Sequence, residues 1–532
     1  MDNYFVSSCK RVKDWICRQF GQKGKKTVHH KKFADGGEVV VWETGRAGEE
    51  AASYENLFLR KEIAGFRTNI RREQSCSIKS LTRDYLYKQL LSSGEYTFDH
   101  MLVIKDPYGE APLTALALFI LEEPACVRVT TKGNLKETDF VTELPKKKEH
   151  RVPILGMYAE KANDIVIEIL DDEGNCVKSH TFTIRTKRLP KSLRNVITVK
   201  KWTDKPAYSN IMINGGVKIH TCVFDIEGEI RYYLSRKPRG YGIFPLSDGH
   251  FFYMEKYISV PSYSNPQTVE SYDMDYFGRV FRTYLTEKGV HHTAEEKAGG
   301  NILTGSNSML EHTEDCVIEI DRQTGEIVWQ LNMAEIFDET YQNMMDWCHV
   351  NSAAYYEKDR TILISLRNVH AVICVDYDTK KLRWILSDPK FWEGTKMTPY
   401  LLQPEGDVKW CYQQHAAFEI ALPDESNPQK KRIIVYDNHW AKRRKAKSFD
   451  KDPLSYVSFY DIDEEKKTVS LHKRFAGPKT RIRANGIYVP DKKRVYNMAG
   501  SYAEPVDGDG GGIFEYDYET GEVLSEFGVK PG

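Results

Sequence analysis

The chain has 532 residues, with 76 Lys plus Arg against 76 Asp plus Glu, so its formal net charge is zero. That balance excludes a chain-wide electrostatic footprint for nucleic acid or an anionic membrane surface. Hydrophobic residues make up 41% and aromatics 12%, a globular composition that leans to β structure and is long enough for two or three domains.

Residues 1–85 are polar and rich in Lys and Arg. Apolar residues recur at helical spacing in LTRDYLYKQLL (81–91), so this segment is expected to be partly helical behind a solvated basic start from Lys10 to Lys32. The opening MDNYFVSSCKRVKDWICRQFGQKGKK has no apolar signal-peptide core, and no apolar run reaches transmembrane length. The expectation is a cytoplasmic protein without a membrane span. The ten cysteines include no CxxC pair and no metal-type spacing, and read as reduced thiols.

From 86 to 190, short alternating runs (MLVI, LTALALFIL, CVRVTT, DIVIEIL, SHTFTIRT) are separated by turns such as DPYGEAP and DDEGN, the pattern of a small β-sandwich. From 195 to 532 one pattern recurs: an apolar strand, an aspartate, a short turn and a second strand. Its aspartates are Asp225, Asp273, Asp321, Asp376, Asp461 and Asp517, at steps of 48, 48, 55, 85 and 56 residues. A hairpin at such a period is the signature of propeller blades. The fold class expected is all-β, a six-bladed β-propeller preceded by a β-sandwich domain.

If each hairpin is the outer half of a blade, the inner strand lies just upstream. Aligning NILTGSN, TILISLRN and RIIVYDN places a histidine at the head of three successive inner strands: His292, His349 and His415. The same register gives Tyr241 in the preceding blade and Arg483 or Asn485 in the following one. Asn307, Arg367 and Asn438 share the end of the next strand. A lone strand histidine is usually structural; three in register beside an arginine form a site. His291 is expected to point away from its neighbour, because side chains alternate along a strand, although either of the pair remains open as the active one. His220, His250, His370 and His439 fall outside the register. Asp346 and Trp347 are expected to cap and pack the turn that presents His349.

Three imidazoles can hold a metal, and a metal-dependent propeller lyase or oxygenase using them as ligands is the alternative reading. Against it, Arg367 repels a cation and no Asp or Glu falls in the register. A cationic ring suits an anion whose charge spreads over several oxygens, with an imidazole as nucleophile. A non-catalytic binding propeller is a third possibility.

DWCHVNS followed by TILISLRN resembles the bacterial arylsulfotransferase signature D-W-x-H-x-N-S and a strand ending S-x-R. HHTAEEKAGGNIL resembles that family's H-H-D…G-N-I-L segment, with Thr293 where the family has aspartate, and QQHAA its Q-H stretch. The segment EHRVPILGMYAEKANDIVIEILDDEGNCVKSHTFTIRT is similar to the family's N-terminal domain. The resemblance covers roughly residues 90–532. It implies transfer of a sulfuryl group from a phenolic sulfate to a phenol, in ping-pong fashion, without a nucleotide sulfate donor or any cofactor. It casts His415 as the nucleophile that becomes sulfohistidine, with His292, His349 and Arg367 holding sulfuryl oxygens and assisting proton transfer. Asn351 would orient His349 or contact the sulfate. Tyr241, Asn438 and Arg483 are substrate-binding candidates from the register. The resemblance also implies a homodimer.

Overall fold

The computed structural model describes residues 28–33, 36–62, 76–203, 205–214, 219–236, 242–258, 267–308, 312–342, 344–422, 426–440 and 452–530. The chain divides into two units, one made of residues 1–132, 140–156 and 162–185, the other of 133–139, 157–161 and 186–532.

The first unit carries one seven-stranded sheet and two helices, Thr44–Glu62 and Cys76–Ser92. The second contains the segment in which helical spacing was read. The sheet also draws in two strands from the polar N-terminal segment, Val28–Lys32 and Glu38–Trp42. The second of these runs parallel to His100–Lys105, pairing Val39 with Met101 and Val41 with Val103. The β-branched run EVVVW is buried from Val39 onward, which is why so polar a segment contributes to the sheet.

The second unit is built from antiparallel sheets in chain order, a propeller-like arrangement. Four strands from Val350 to Leu386 form one sheet, and four from His415 to Pro478 form another with a short edge piece. The last sheet runs from Ala484 to Val529 and takes Ile197–Lys201 from the start of the unit as its outer strand, Ile197 opposite Val529. Sheets pack face to face through apolar side chains. One such layer joins Leu303, Val317 and Leu331 to Ile362, Ile364 and Ile373, with Trp347 and Trp392 fully enclosed at its end.

The hairpin aspartates differ in whether they cap their own turns, and Asp225 and Asp517 do so while also holding Arg231 and Arg494. Asp225, Asp321, Asp376 and Asp517 accept backbone N–H groups from their own turns, as in Asp321 from Gln323 and Thr324. Asp273 and Asp461 do not: they hold Arg322 and Arg432. In those two hairpins the turn cap is two residues later, with Asp275 accepting from Phe277 and Arg279, and Asp463 from Lys466. Two aspartates of one strand share a face at that spacing, so the spacing alone did not separate the cap from the ion-pair partner.

Candidate active site

In a meander of antiparallel strands, the head of the first strand, the end of the second and the head of the third lie at the same end of the sheet. That rule assembles the site. His292 lies in the strand Val280–Glu296, His349 directly precedes Val350–Tyr356, and His415 begins His415–Ile420. Each strand is bulged there: the pairing register shifts between His291 and Ala294, between Val350 and Ser352, and between His415 and Phe418. His292, His349 and Ala416 take positive φ of 58°, 56° and 50°. Such left-handed backbone is costly for residues with a Cβ and clusters at functional sites.

The bulge overturns the expectation for His291. With a left-handed residue following it, its ring does not alternate away from His292; the two ring centroids lie 5.2 Å apart and the Nδ1 atoms 3.2 Å apart. Gly305 on the paired strand makes the room, since a Cβ there would meet the His291 ring at 2.6 Å.

The rings of His292 and His349 stand edge to face at 4.8 Å. His349 Nδ1 donates to Asp346 Oδ2 at 2.9 Å and forms an ion pair with Glu314, whose Oε2 lies 2.6 Å away. Burial alone would lower the affinity of this imidazole for its proton, but the two carboxylates outweigh it and raise its pKa to about 9. Glu314 is fully buried, and although burial opposes its charge, the neighbouring imidazoles hold it ionised. Asp346 therefore does more than cap a turn.

The absence of an acidic residue from the register was an incomplete reading, because Glu314 does not belong to the aligned strands. It heads the third strand, Cys316–Ile320, with φ of 56°, its N–H donated to Asn307 Oδ1 and its carbonyl accepting from Val350. Topology offered the missing signal: an acid preceding an apolar third strand lies at the same end as the histidines.

His415 has the opposite surroundings. Its Nδ1 lies 2.5 Å from Asn438 Oδ1, while Asn438 Nδ2 donates to Thr480 Oγ1. The amide oxygen can only accept, so Nδ1 carries the proton and Nε2 the lone pair. Burial, reinforced by the charge of Arg367, pushes the His415 pKa down to about 3. Arg367 opens the turn after Thr361–Leu366, its guanidinium donating to Gln413 Oε1 at 3.2 Å and Asn368 Oδ1 at 3.3 Å. His370, outside the register, accepts from Gln413 N–H and braces the same loop.

Asn351 donates to the carbonyl of Gln414 at 2.8 Å, which ties the His349 strand to the residue before His415. Arg483 is exposed at φ of 61°, and none of the described hydrogen bonds joins it to the histidines. Tyr241 lies outside the described residues. His291, His292 and Glu314, and likewise Glu314, Asp346 and His349, place donor atoms within 4.8 Å of one another.

A family model described as Arylsulfotransferase (ASST) matches residues 195–531, and one described as Arylsulfotransferase Ig-like domain matches 102–187. Two relatives named arylsulfate sulfotransferase AssT are similar. The one from Lelliottia amnigena is 22% identical, over 80% of this chain and 90% of its own. The one from Escherichia coli is 23% identical, with the same coverage. Among solved structures, an auxiliary nutrient binding protein from Bacteroides thetaiotaomicron aligns at 12% identity with a TM-score of 0.34, over 79% of this chain and 94% of that one. No helix among the described residues is long and apolar enough to cross a membrane. The chain belongs to the arylsulfotransferase family and is a sulfotransferase enzyme.

Proposed function

We propose that the protein moves a sulfuryl group from an aryl sulfate ester to a phenol in two steps, through a sulfohistidine at His415. The carrying observation is the hydrogen bond from His415 Nδ1 to Asn438, which aims an unprotonated Nε2 out of the ring's far side. Nε2 attacks the sulfur, the bond from sulfur to the aryl oxygen breaks, and its electron pair departs with the phenolate. An acceptor phenol then attacks the same sulfur, the S–N bond returns its pair to Nε2, and the phenol proton passes to a base. Splitting the transfer this way replaces one difficult displacement with two easier ones.

Charge grows on three sulfuryl oxygens during each displacement. Arg367 and the His349 imidazolium supply fixed positive charge for them, and neither needs to reorganise as the reaction proceeds. The carboxylates behind His349 keep that cation in place between turnovers. The scaffold reads best as six blades, with Asn210–Tyr233 as the first, strands Gly242–Pro245 to Glu296 as the second, and the strand holding His292 continuing into the third. This count supports the reading of His292, His349 and His415 as the heads of three neighbouring inner strands.

The test follows nitrophenolate release from p-nitrophenyl sulfate without any nucleotide, with and without added phenol. The reading predicts release that rises steeply with phenol and is lost in His415→Ala. Release unaffected by that substitution contradicts it. Metal analysis addresses the rival chemistry: stoichiometric Zn, Mn or Fe with activity lost on chelation would replace the sulfohistidine route.

A further inference from the structure

Alternation along an extended strand would turn His291 away from His292, yet its surroundings are too specific for a packing residue. It is fully buried. Its Nε2 lies 2.8 Å from the carbonyl oxygen of Ser306, and its Nδ1 lies 3.2 Å from Nδ1 of His292. A carbonyl only accepts, so His291 Nε2 bears the proton. The neutral ring then has a lone pair at Nδ1. That lone pair accepts from His292, so His292 carries its proton on Nδ1 and a lone pair on Nε2. Burial keeps both rings on the neutral side of their titrations, Glu314 opposing it in each case.

We infer that His291 is a positioning residue: it fixes His292 in the tautomer whose Nε2 takes the proton of the acceptor phenol. The inference rests on the sulfohistidine reading and assigns the proton that the second step releases. In that step the phenol O–H bond breaks as its oxygen bonds to sulfur, the proton moves to His292 Nε2, and the S–N bond at His415 is the one lost. The same atom, once protonated, returns the proton to a leaving phenolate when the transfer runs the other way. A fixed tautomer matters because a flipped ring would present an N–H where a base is needed. Gly305 belongs to the device, since any side chain there would collide with Cε1 and Nδ1 of His291.

This arrangement separates the half-reactions. Nitrophenolate is a good leaving group and needs no acid, so sulfuryl transfer onto His415 from p-nitrophenyl sulfate does not use His292. Transfer onward to phenol does. His291→Leu removes the acceptor for the His292 proton. His291→Gln restores it, with the amide nitrogen donating to Ser306 and the amide oxygen accepting from His292. The expected result is a pre-steady-state burst of about one nitrophenolate per site in both variants, the kinetic sign of a covalent intermediate. Onward transfer in His291→Leu slows by roughly 10²-fold, the ordinary scale of general base catalysis, and more for phenols of higher pKa. His291→Gln stays near the unmodified rate.

If His291→Leu does not fold, as read from its thermal melt, Gly305→Ala displaces the ring without deleting it and should slow the same half-reaction. Onward transfer at the unmodified rate in His291→Leu, equal slowing of both half-reactions, or His291→Gln behaving like His291→Leu each overturns the inference while leaving the sulfohistidine in place. Absence of a burst in the unmodified protein overturns the sulfohistidine reading, and the inference with it.

Discussion

His349 and His415 stand at matching positions of neighbouring strands and are equally buried, 8% exposed each, yet their rings are driven in opposite directions. Two carboxylates back His349 and hold it charged; at His415 burial, reinforced by the Arg367 guanidinium, keeps the ring neutral against the opposing pull of the Asn438 hydrogen bond. Burial is common to both and so does not explain the difference. What distinguishes them is the residue behind Nδ1, which decides whether the ring works as a cation or as a nucleophile.

Substitutions that exchange or remove those backing groups test the contrast. The largest effect is expected from His415→Ala, a loss of about 10³-fold or more in transfer, on the scale of a deleted nucleophile. Arg367→Gln removes a charge facing the sulfuryl group and should cost roughly 10²–10³-fold in kcat, comparable to losing one oxyanion donor. It should also raise the His415 pKa, because its charge helps hold that ring neutral.

Glu314→Gln is expected to cost roughly 10–10²-fold, with a change in the pH profile as its signature. In the unmodified protein the His349 pKa is raised to about 9, so activity that needs the cation persists below that pH and fades as pH rises through it. In Glu314→Gln the fall should begin at lower pH. The sign for stability is the same: the raised pKa contributes stability that is complete below the unfolded histidine value of about 6.5, and that is lost by the time pH passes about 9. An unchanged alkaline limb in Glu314→Gln would remove the contrast between the two histidines. Asp346→Asn should produce the smallest effect, a shift in the same direction of a few-fold at fixed pH, because Glu314 remains as partner.

Much of this site could be read from the sequence, and the parts that could not share a cause. The three histidines and Arg367 lie on or directly beside strands with internal repeats, so alignment of short apolar runs found them. Glu314 and His291 escaped the same alignment because their placement depends on chain reversal and on local backbone. Glu314 reaches the site from the third strand, and His291 reaches it through a bulge with a left-handed residue. Period-two reasoning assumes extended backbone, and it fails where that backbone is broken. The aspartate repeat shows a milder version: Asp273 and Asp461 match the pattern, but Asp275 and Asp463 make the turns. In the N-terminal segment, EVVVW is too short to outweigh its polar flanks in any composition window, and its pairing with Val28–Lys32 on one side and His100–Lys105 on the other identifies it as a strand.

The most direct test of the account is the mass of the peptide containing His415 after brief exposure to p-nitrophenyl sulfate with no acceptor present. The account predicts that this peptide gains one SO₃ group and loses it when phenol is added, with Glu314→Gln gaining it more slowly at alkaline pH. A peptide of unchanged mass in protein that is turning over donor, or the added group on another residue, would contradict it.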